Sequence, residues 1–175
     1  MMEGPIPFGG PVYLVLLLIL IAARGADFLS TWIATPNLVL EANPIARALR
    51  FRWGLPVNVV LCFLFAFWPL PAIIIATTSA LVAARNFQVA WLMRSMGEYE
   101  YRHWMVERLE QTPITLFLGC LFGQTLLFTA VGAILAACSR WQVVPFGIGM
   151  GFIAYAFTVL VFTLISLWRR RRPLE

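Results

Sequence analysis

Residues 11–34 read PVYLVLLLILIAARGADFLSTWIA, and this segment sets the class of protein. A helix needs about 20 predominantly apolar residues to cross a bilayer, so the segment predicts a transmembrane helix. It also contains Arg24 and Asp27. Because ionised groups are costly at membrane depth, charged side chains found there usually have a structural or functional role. The polar residues of this segment are therefore the first candidates for a site.

The composition of the whole chain agrees with a membrane protein. Of its 175 residues, 61% are hydrophobic and 12% are charged, whereas a soluble domain has about 25% charged residues. The formal net charge of +5 comes from 13 arginines. Four of them form a run at residues 169–172, directly after an apolar segment. That placement indicates a membrane-surface anchor, so we expect the lipid bilayer, and no nucleic acid, as a partner.

Further apolar segments predict four more spans, at about residues 55–68, 72–93, 113–138 and 143–168. The predicted fold is all-α: a polytopic membrane protein forming one domain over residues 1–175, with five transmembrane helices. A four-span alternative applies if Pro69-Leu-Pro71 is a kink inside one helix rather than a turn between two. The positive-inside rule favours five spans, with the N-terminus outside and the C-terminus in the cytoplasm. We expect the chain to be a multi-pass protein of the cell inner membrane.

Two short amphipathic helices are predicted to lie on the membrane surface. The first starts at Asn43-Pro44, because asparagine caps free backbone N–H groups and proline suits the first helical position. We expect it to run to Trp53 and to stop at Gly54. The second covers residues 94–111, a charged segment with opposite charges at i, i+4 spacing.

The first span carries a polar stripe. Arg24, Asp27 and Thr31 recur at helical spacing, with Ser30 beside them. Lipid does not solvate such a stripe, so it faces the interior of the bundle. Two readings fit: a polar pocket for an ion or a headgroup, or an internal Arg24–Asp27 pair whose neighbouring hydroxyls bond to their own helix.

Glu41-Ala-Asn43-Pro44 is the second polar feature. In the simpler reading it only starts a helix, with Glu41 near the positive end of the helix dipole. In the other, Glu41 and Asp27 are two carboxylates at one membrane boundary, which with Asn43 offer oxygen ligands to a divalent cation. These ligands are too few to predict a metal site.

These residues resemble a known signature. Asp27-Phe-Leu-Ser30-Thr31 followed by Glu41-Ala-Asn43-Pro44 is similar to the D-x-x-[ST]-T and E-x-N-P motifs of a family of small uncharacterised bacterial and archaeal membrane proteins. The resemblance covers roughly residues 14–91, the first three spans. That family's pattern also has a polar residue late in the third span, for which Asn86 is the candidate here. The resemblance implies which residues matter and implies no activity.

The last two spans are rich in small residues. Gly119 and Gly123 lie at GxxxG spacing, and Gly147 and Gly151 lie at the same spacing in the next span. Such pairs allow close backbone approach. They fit packing within the bundle, and they also fit docking of a membrane-protein partner or a second copy of the chain.

Two functions follow as hypotheses. The first is a non-catalytic structural or accessory subunit of an inner-membrane assembly, since no catalytic or phosphate-loop motif occurs in the sequence. The second is a small transporter or intramembrane enzyme acting on a cation or a lipid. Its polar site would lie on the cytoplasmic side and consist of Arg24, Asp27, Ser30, Thr31, Glu41, Asn43 and Asn86. The sequence identifies no cofactor for either function.

Overall fold

A computed structural model describes residues 4–170, with side chains described up to Trp168. This part of the chain is all-helical and contains six helices. They are α1 (Pro11–Ala34), α2 (Pro44–Phe65), α3 (Pro69–Met96), α4 (Glu98–Gln111), α5 (Ile114–Cys138) and α6 (Val143–Arg170). The predicted arginine anchor at residues 169–172 lies outside the described side chains.

Five of these helices, all but α4, are long and apolar enough to cross a membrane. The predicted all-α fold with five candidate spans is therefore confirmed. It is compatible with a multi-pass integral membrane protein. The charged helix α4 joins α3 to α5 and has the low hydropathy expected of a segment outside the lipid.

The spans form a row in the order α2, α1, α3, α6, α5. Helix α1 packs mainly on α3, α3 also packs on α6, and α6 packs on α5, whereas α2 contacts α1 more than α3. One apolar core lies between α1, α2 and α3 around Tyr13, Leu20 and Ala72. A second lies between α5 and α6 around Leu121 and Tyr155. Helices α2 and α5 therefore end the row.

The second helix differs from its prediction. The expected surface helix and second span are one element, α2, which is interrupted at Arg50 (φ 53°, ψ 179°) rather than ended at Gly54. Gly54 is instead buried inside the helix, where an added Cβ would lie 3.4 Å from the ring of Phe28. The predicted stop at Gly54 is wrong because this glycine serves the approach of α2 to α1.

Pro69 and Pro71 lie in the first turn of α3. Proline is well tolerated there, since the first N–H groups of a helix have no acceptor within it. The chain breaks just before them, at residues 66–68, between the end of α2 and the start of α3. The helix boundaries therefore agree with two separate spans rather than with one kinked span.

Glycines permit the close contacts in the second half of the row. A Cβ at Gly147 would meet the side chain of Ile73 at 2.8 Å, and one at Gly151 would meet Thr77 at 2.6 Å. On the other side of α6, Gly149 is packed against Gly132 of α5. Gly119 and Gly123, in contrast, have nothing within 4 Å of the added Cβ. Gly147 and Gly151 thus serve contacts within the chain, and Gly119 and Gly123 lie on an open face.

Candidate functional site

Arg24 connects three helices through its guanidinium group. Its Nη1 donates to Asp27 Oδ2 at 2.8 Å and to Ser79 Oγ of α3 at 3.1 Å. Its Nε donates to Asn58 Oδ1 of α2 at 2.9 Å, and its Nη2 donates to the same oxygen. We call Arg24, Asp27, Asn58 and Ser79 the Arg24 cluster. The Nε, Nη1 and Nη2 atoms of Arg24 all donate within this cluster, and the contact with Asp27 is the internal ion pair anticipated from the sequence.

Neighbouring contacts hold the Arg24 cluster in place. The amide of Asn58 donates to the Gly54 carbonyl at 2.8 Å, and the Arg24 guanidinium carbon lies 5.9 Å from the centre of the Phe28 ring. Arginine over an aromatic face is a favourable contact. Asn58 and Ser79 were not predicted, because single polar residues in apolar helices carry no spacing signal of their own.

Ser30, Thr31 and Asn86 form a second contact between α1 and α3. Asn86 Nδ2 donates to Ser30 Oγ at 3.3 Å and to Thr31 Oγ1 at 3.4 Å. Ser30 in turn donates to the Asp27 carbonyl at 2.9 Å. The structure therefore brings Asn86 to the polar stripe of α1 and joins the two helices with neutral hydrogen bonds.

Asn43 caps α2 as its position predicts. Its Oδ1 accepts from the backbone N–H groups of Ile45 at 2.9 Å and Ala46 at 3.4 Å. Glu41 Oε1 accepts from the Asn43 N–H at 2.8 Å. Burial raises the pKa of Glu41, although backbone hydrogen bonds and nearby Arg47 act against that rise. Glu41 is also close enough to Asp27 for the two carboxylates to interact electrostatically.

The residues that the structure describes contain no group of three histidine, cysteine, aspartate or glutamate side chains able to hold a metal ion. Asp27 and Glu41 are instead engaged with Arg24 and with the backbone of Asn43, respectively. One oxygen of each carboxylate, Asp27 Oδ2 and Glu41 Oε1, is thus used in a hydrogen bond with the protein.

Glu98 is the most heavily bonded carboxylate in the described part of the chain. Its Oε2 accepts from Thr35 Oγ1 at 2.6 Å and from the Val39 N–H at 3.0 Å. Its Oε1 accepts from the Asn37 N–H at 2.8 Å and from Asn37 Nδ2 at 2.9 Å. The side chain is buried. Sequence reasoning missed this role, because an acidic residue in the first turn of a helix is already expected from the helix dipole.

A cavity of about 440 Å³ lies beside these residues. We call it the loop cavity. Its walls are residues 37–42 of the loop between α1 and α2, together with Arg47, Arg50, Tyr99, Arg102 and Ser166. Three arginines and one carboxylate, Glu41, line it. The sequence did not predict this cavity, because residues from α2, α4 and α6 meet here only through the fold.

A separate polar contact lies in the second half of the row. The buried phenol of Tyr155 lies near the side chains of Arg85 and Gln124. Arg85 lies within α3 rather than at its end, so it belongs to the helix bundle. Gln124, a polar residue within the apolar span α5, lies near Tyr155.

The chain matches no protein-family model, no curated protein and no solved structure with which it was compared.

Proposed function

We propose that this chain is an integral membrane protein that binds a phosphate-bearing anion in the loop cavity, either a lipid headgroup or a soluble phosphate. The observation that carries the proposal is the set of three arginines around one cavity of about 440 Å³. Arg47 and Arg50 come from α2 and Arg102 comes from α4, so the fold gathers them from separate elements.

The chemistry of the lining suits phosphate. Arginine presents a planar fork of N–H donors that pairs with two phosphate oxygens at once. Tyr99 and Ser166 add hydroxyl donors to the same cavity. Glu41 is the acidic side chain in the lining, and burial raises its pKa and so opposes its negative charge. The lining therefore favours an anion over the cation considered from the sequence.

The position of the cavity favours a lipid as the source of the phosphate. It lies where α1 ends, where α2 is interrupted and close to the end of α6. Basic pockets at the ends of transmembrane helices are typical sites for anionic headgroups. With the positive-inside rule, this end of the bundle faces the cytoplasm.

The Arg24 cluster has a supporting role in this proposal. Arg24 already donates to Asp27, Asn58 and Ser79. We therefore assign ligand binding to the arginines of the loop cavity and assign the alignment of α1, α2 and α3 to the Arg24 cluster. Of the two hypotheses from the sequence, this proposal develops the second, in which a polar site acts on a cation or a lipid. It narrows that hypothesis to recognition of a lipid and includes no chemical step.

The test uses the purified full chain in phosphatidylcholine nanodiscs. Native mass spectrometry measures retention of phosphatidic acid, and calorimetry measures binding of inorganic phosphate. Removing one charge-assisted contact, as in Arg47→Gln or Arg102→Gln, is expected to weaken binding about tenfold or more. Arg108→Gln is the matched control, since Arg108 is exposed on α4 and bonds to Gln111.

The outcomes separate the two sources. Retention of phosphatidic acid with no response to inorganic phosphate identifies a headgroup site. Binding of both identifies a site for the phosphate group alone. If the wild type binds neither, or if Arg102→Gln behaves like Arg108→Gln, the proposal is wrong.

A second candidate function is the accessory subunit. Helix α5 has α6 as its main neighbour, and Gly119 and Gly123 have nothing within 4 Å of an added Cβ. An open GxxxG face is typical of helix–helix docking in membranes. Crosslinking in cells tests this function: Gly119→Leu and Gly123→Leu should abolish a crosslinked partner or a second copy. A wild-type chain recovered only as a monomer contradicts it.

A further inference from the structure

The loop between α1 and α2 is fixed to α4 through one carboxylate. All four hydrogen bonds that Glu98 accepts come from Thr35, Asn37 and Val39. This loop supplies one wall of the loop cavity. Tyr99, the next residue after Glu98, and Arg102 line the same cavity from α4. Glu98 therefore ties together two walls of the same cavity.

We propose that Glu98 is the positioning residue of the loop cavity: by holding residues 35–39 on the start of α4, it sets the distance between the loop wall and Arg102. The inference rests on the proposed function for what the cavity binds. It adds that Glu98 fixes the shape of the cavity.

Residues 35–43 lack regular secondary structure apart from turns, so their backbone groups need partners from elsewhere. Glu98 supplies acceptors for the N–H groups of Asn37 and Val39. Leu38 adopts a positive φ of 58°, a conformation that a residue with a side chain holds only when its surroundings impose it. The bonds on either side of Leu38 are those that Glu98 accepts.

Thr35 connects Glu98 to a residue that lines the loop cavity. Its hydroxyl donates to Glu98 at 2.6 Å and accepts from the Leu40 N–H at 3.2 Å. Leu40 lines the loop cavity. The chain of contacts thus runs from Glu98 through Thr35 to a wall residue, and loss of the carboxylate frees both Thr35 and the backbone that depends on it.

The position of Glu98 separates this role from ligand contact. Glu98 is not among the lining residues of the loop cavity. It lines a smaller cavity of about 210 Å³ together with Arg94 and Gly97, and the two cavities share Asn37 and Tyr99 in their linings. Burial acts to raise the pKa of Glu98, but its hydrogen bonds to Thr35, Asn37 and Val39 outweigh burial and lower it. The carboxylate therefore remains an ionised acceptor.

The test compares Glu98→Gln with Glu100→Gln in the full chain in nanodiscs. Glu100 is exposed in the first turn of the same helix, so it controls for the loss of one negative charge. Glutamine at position 98 places an amide N–H₂ against backbone donors and removes acceptors. We expect amide exchange at Asn37 and Val39 to become about tenfold faster or more, and phosphatidic acid affinity to fall about tenfold.

Amide exchange can be measured without a ligand, so the positioning role of Glu98 and the binding of phosphate in the loop cavity can be contradicted separately. Faster exchange at Asn37 and Val39 with weaker phosphatidic acid binding, measured well below the unfolding temperature, supports the positioning role. Unchanged exchange, or faster exchange with unchanged affinity, overturns it while wild-type binding stands. If wild type binds no phosphate in either form, the proposed function fails instead, and exchange alone then decides whether Glu98 fixes the loop.

A milder variant keeps the test valid if Glu98→Gln does not fold. Thr35→Val preserves side-chain shape and removes one donor to Glu98 together with the acceptor for Leu40. Faster exchange at Asn37 and Val39, whose acceptor on Glu98 is retained in this variant, with reduced phosphatidic acid affinity supports the role of Glu98. Wild-type exchange and affinity in this variant contradict it.

Discussion

Arg24 shows how a charged residue is accommodated within a span. Removing one partner of a buried charge pair is far more damaging than replacing both, because the remaining charge is left without compensation. Arg24 pairs with Asp27 at 2.8 Å and also donates to Asn58 and Ser79. The contacts of α1 with α2 and α3 therefore depend in part on this one guanidinium group.

Arg24→Gln should lower the stability of the bundle by about 3 kcal/mol, because it leaves the Asp27 carboxylate unpaired at membrane depth. The double variant Arg24→Gln with Asp27→Asn should recover part of that loss. Thermal unfolding in detergent measures both. Arg94→Gln, at the end of α3, is the control for loss of a positive charge. Equal stability of Arg24→Gln and wild type would contradict this role.

Arg50 combines strain with a cavity-lining position. Its φ of 53° is a conformation that glycine adopts freely, and it lines the loop cavity. Arg50→Gly should raise stability by about 1 kcal/mol, because the backbone strain that is relieved exceeds the cost of the extra conformational entropy that glycine loses on folding. The same change should weaken phosphatidic acid binding. Thermal unfolding with and without the lipid measures both effects.

Arg52→Gly is the matched control for Arg50→Gly. Arg52 lies two residues further along α2, where the backbone is helical. Glycine in a helix interior costs about 1 kcal/mol, so this variant should lose stability and keep its affinity for the lipid. A loss of stability in both variants would show that Arg50 is not strained.

At the scale of elements, the sequence predicted what depends on local signals. The bounds of α1 match the prediction, because a long apolar run has few alternatives in a bilayer. Asn43-Pro44 starts α2 as predicted, because capping is decided within four residues. Gly54 was misread as a stop, since its role depends on the ring of Phe28 in another helix.

The candidate site was predictable only in part, because the sequence predicts contacts within one helix but not contacts between distant segments. Arg24 and Asp27 lie one turn apart in one helix, so their pairing follows from spacing. Glu98 and the loop from Thr35 to Val39 are far apart in sequence. Their contact depends on how α4 folds back against the loop, and a single sequence carries no local signal for it.

Glycines give a test of which helix faces pack within the chain. Gly151→Leu places a side chain against Thr77, 2.6 Å from the position of the added Cβ, so it should separate α6 from α3 and prevent folding. Gly119→Leu meets open space and should leave thermal stability within about 0.5 kcal/mol of wild type. Size-exclusion chromatography and thermal unfolding compare them. Equal tolerance of both would contradict the α3–α6 contact.

At the scale of the whole molecule, the row of helices places its charges unevenly. Arg47, Arg50 and Arg102 meet at the end where α1 and α6 finish, whereas Arg140 lies in the turn between α5 and α6 at the opposite end. A five-span topology puts Phe8 and Arg140 on one side and Glu110 on the other. A four-span topology puts Phe8 on the same side as Glu110.

Labelling of single cysteines with a membrane-impermeant maleimide in intact cells decides between them. Phe8, Glu110 and Arg140 are exposed, so each accepts cysteine in a chain whose three native cysteines are replaced. By the positive-inside rule we expect labelling at positions 8 and 140 without permeabilisation, and at position 110 only after it. Labelling of 8 together with 110 would support four spans. Labelling of 110 alone would invert the orientation, and the loop cavity would then face away from the cytoplasmic leaflet and its anionic lipids.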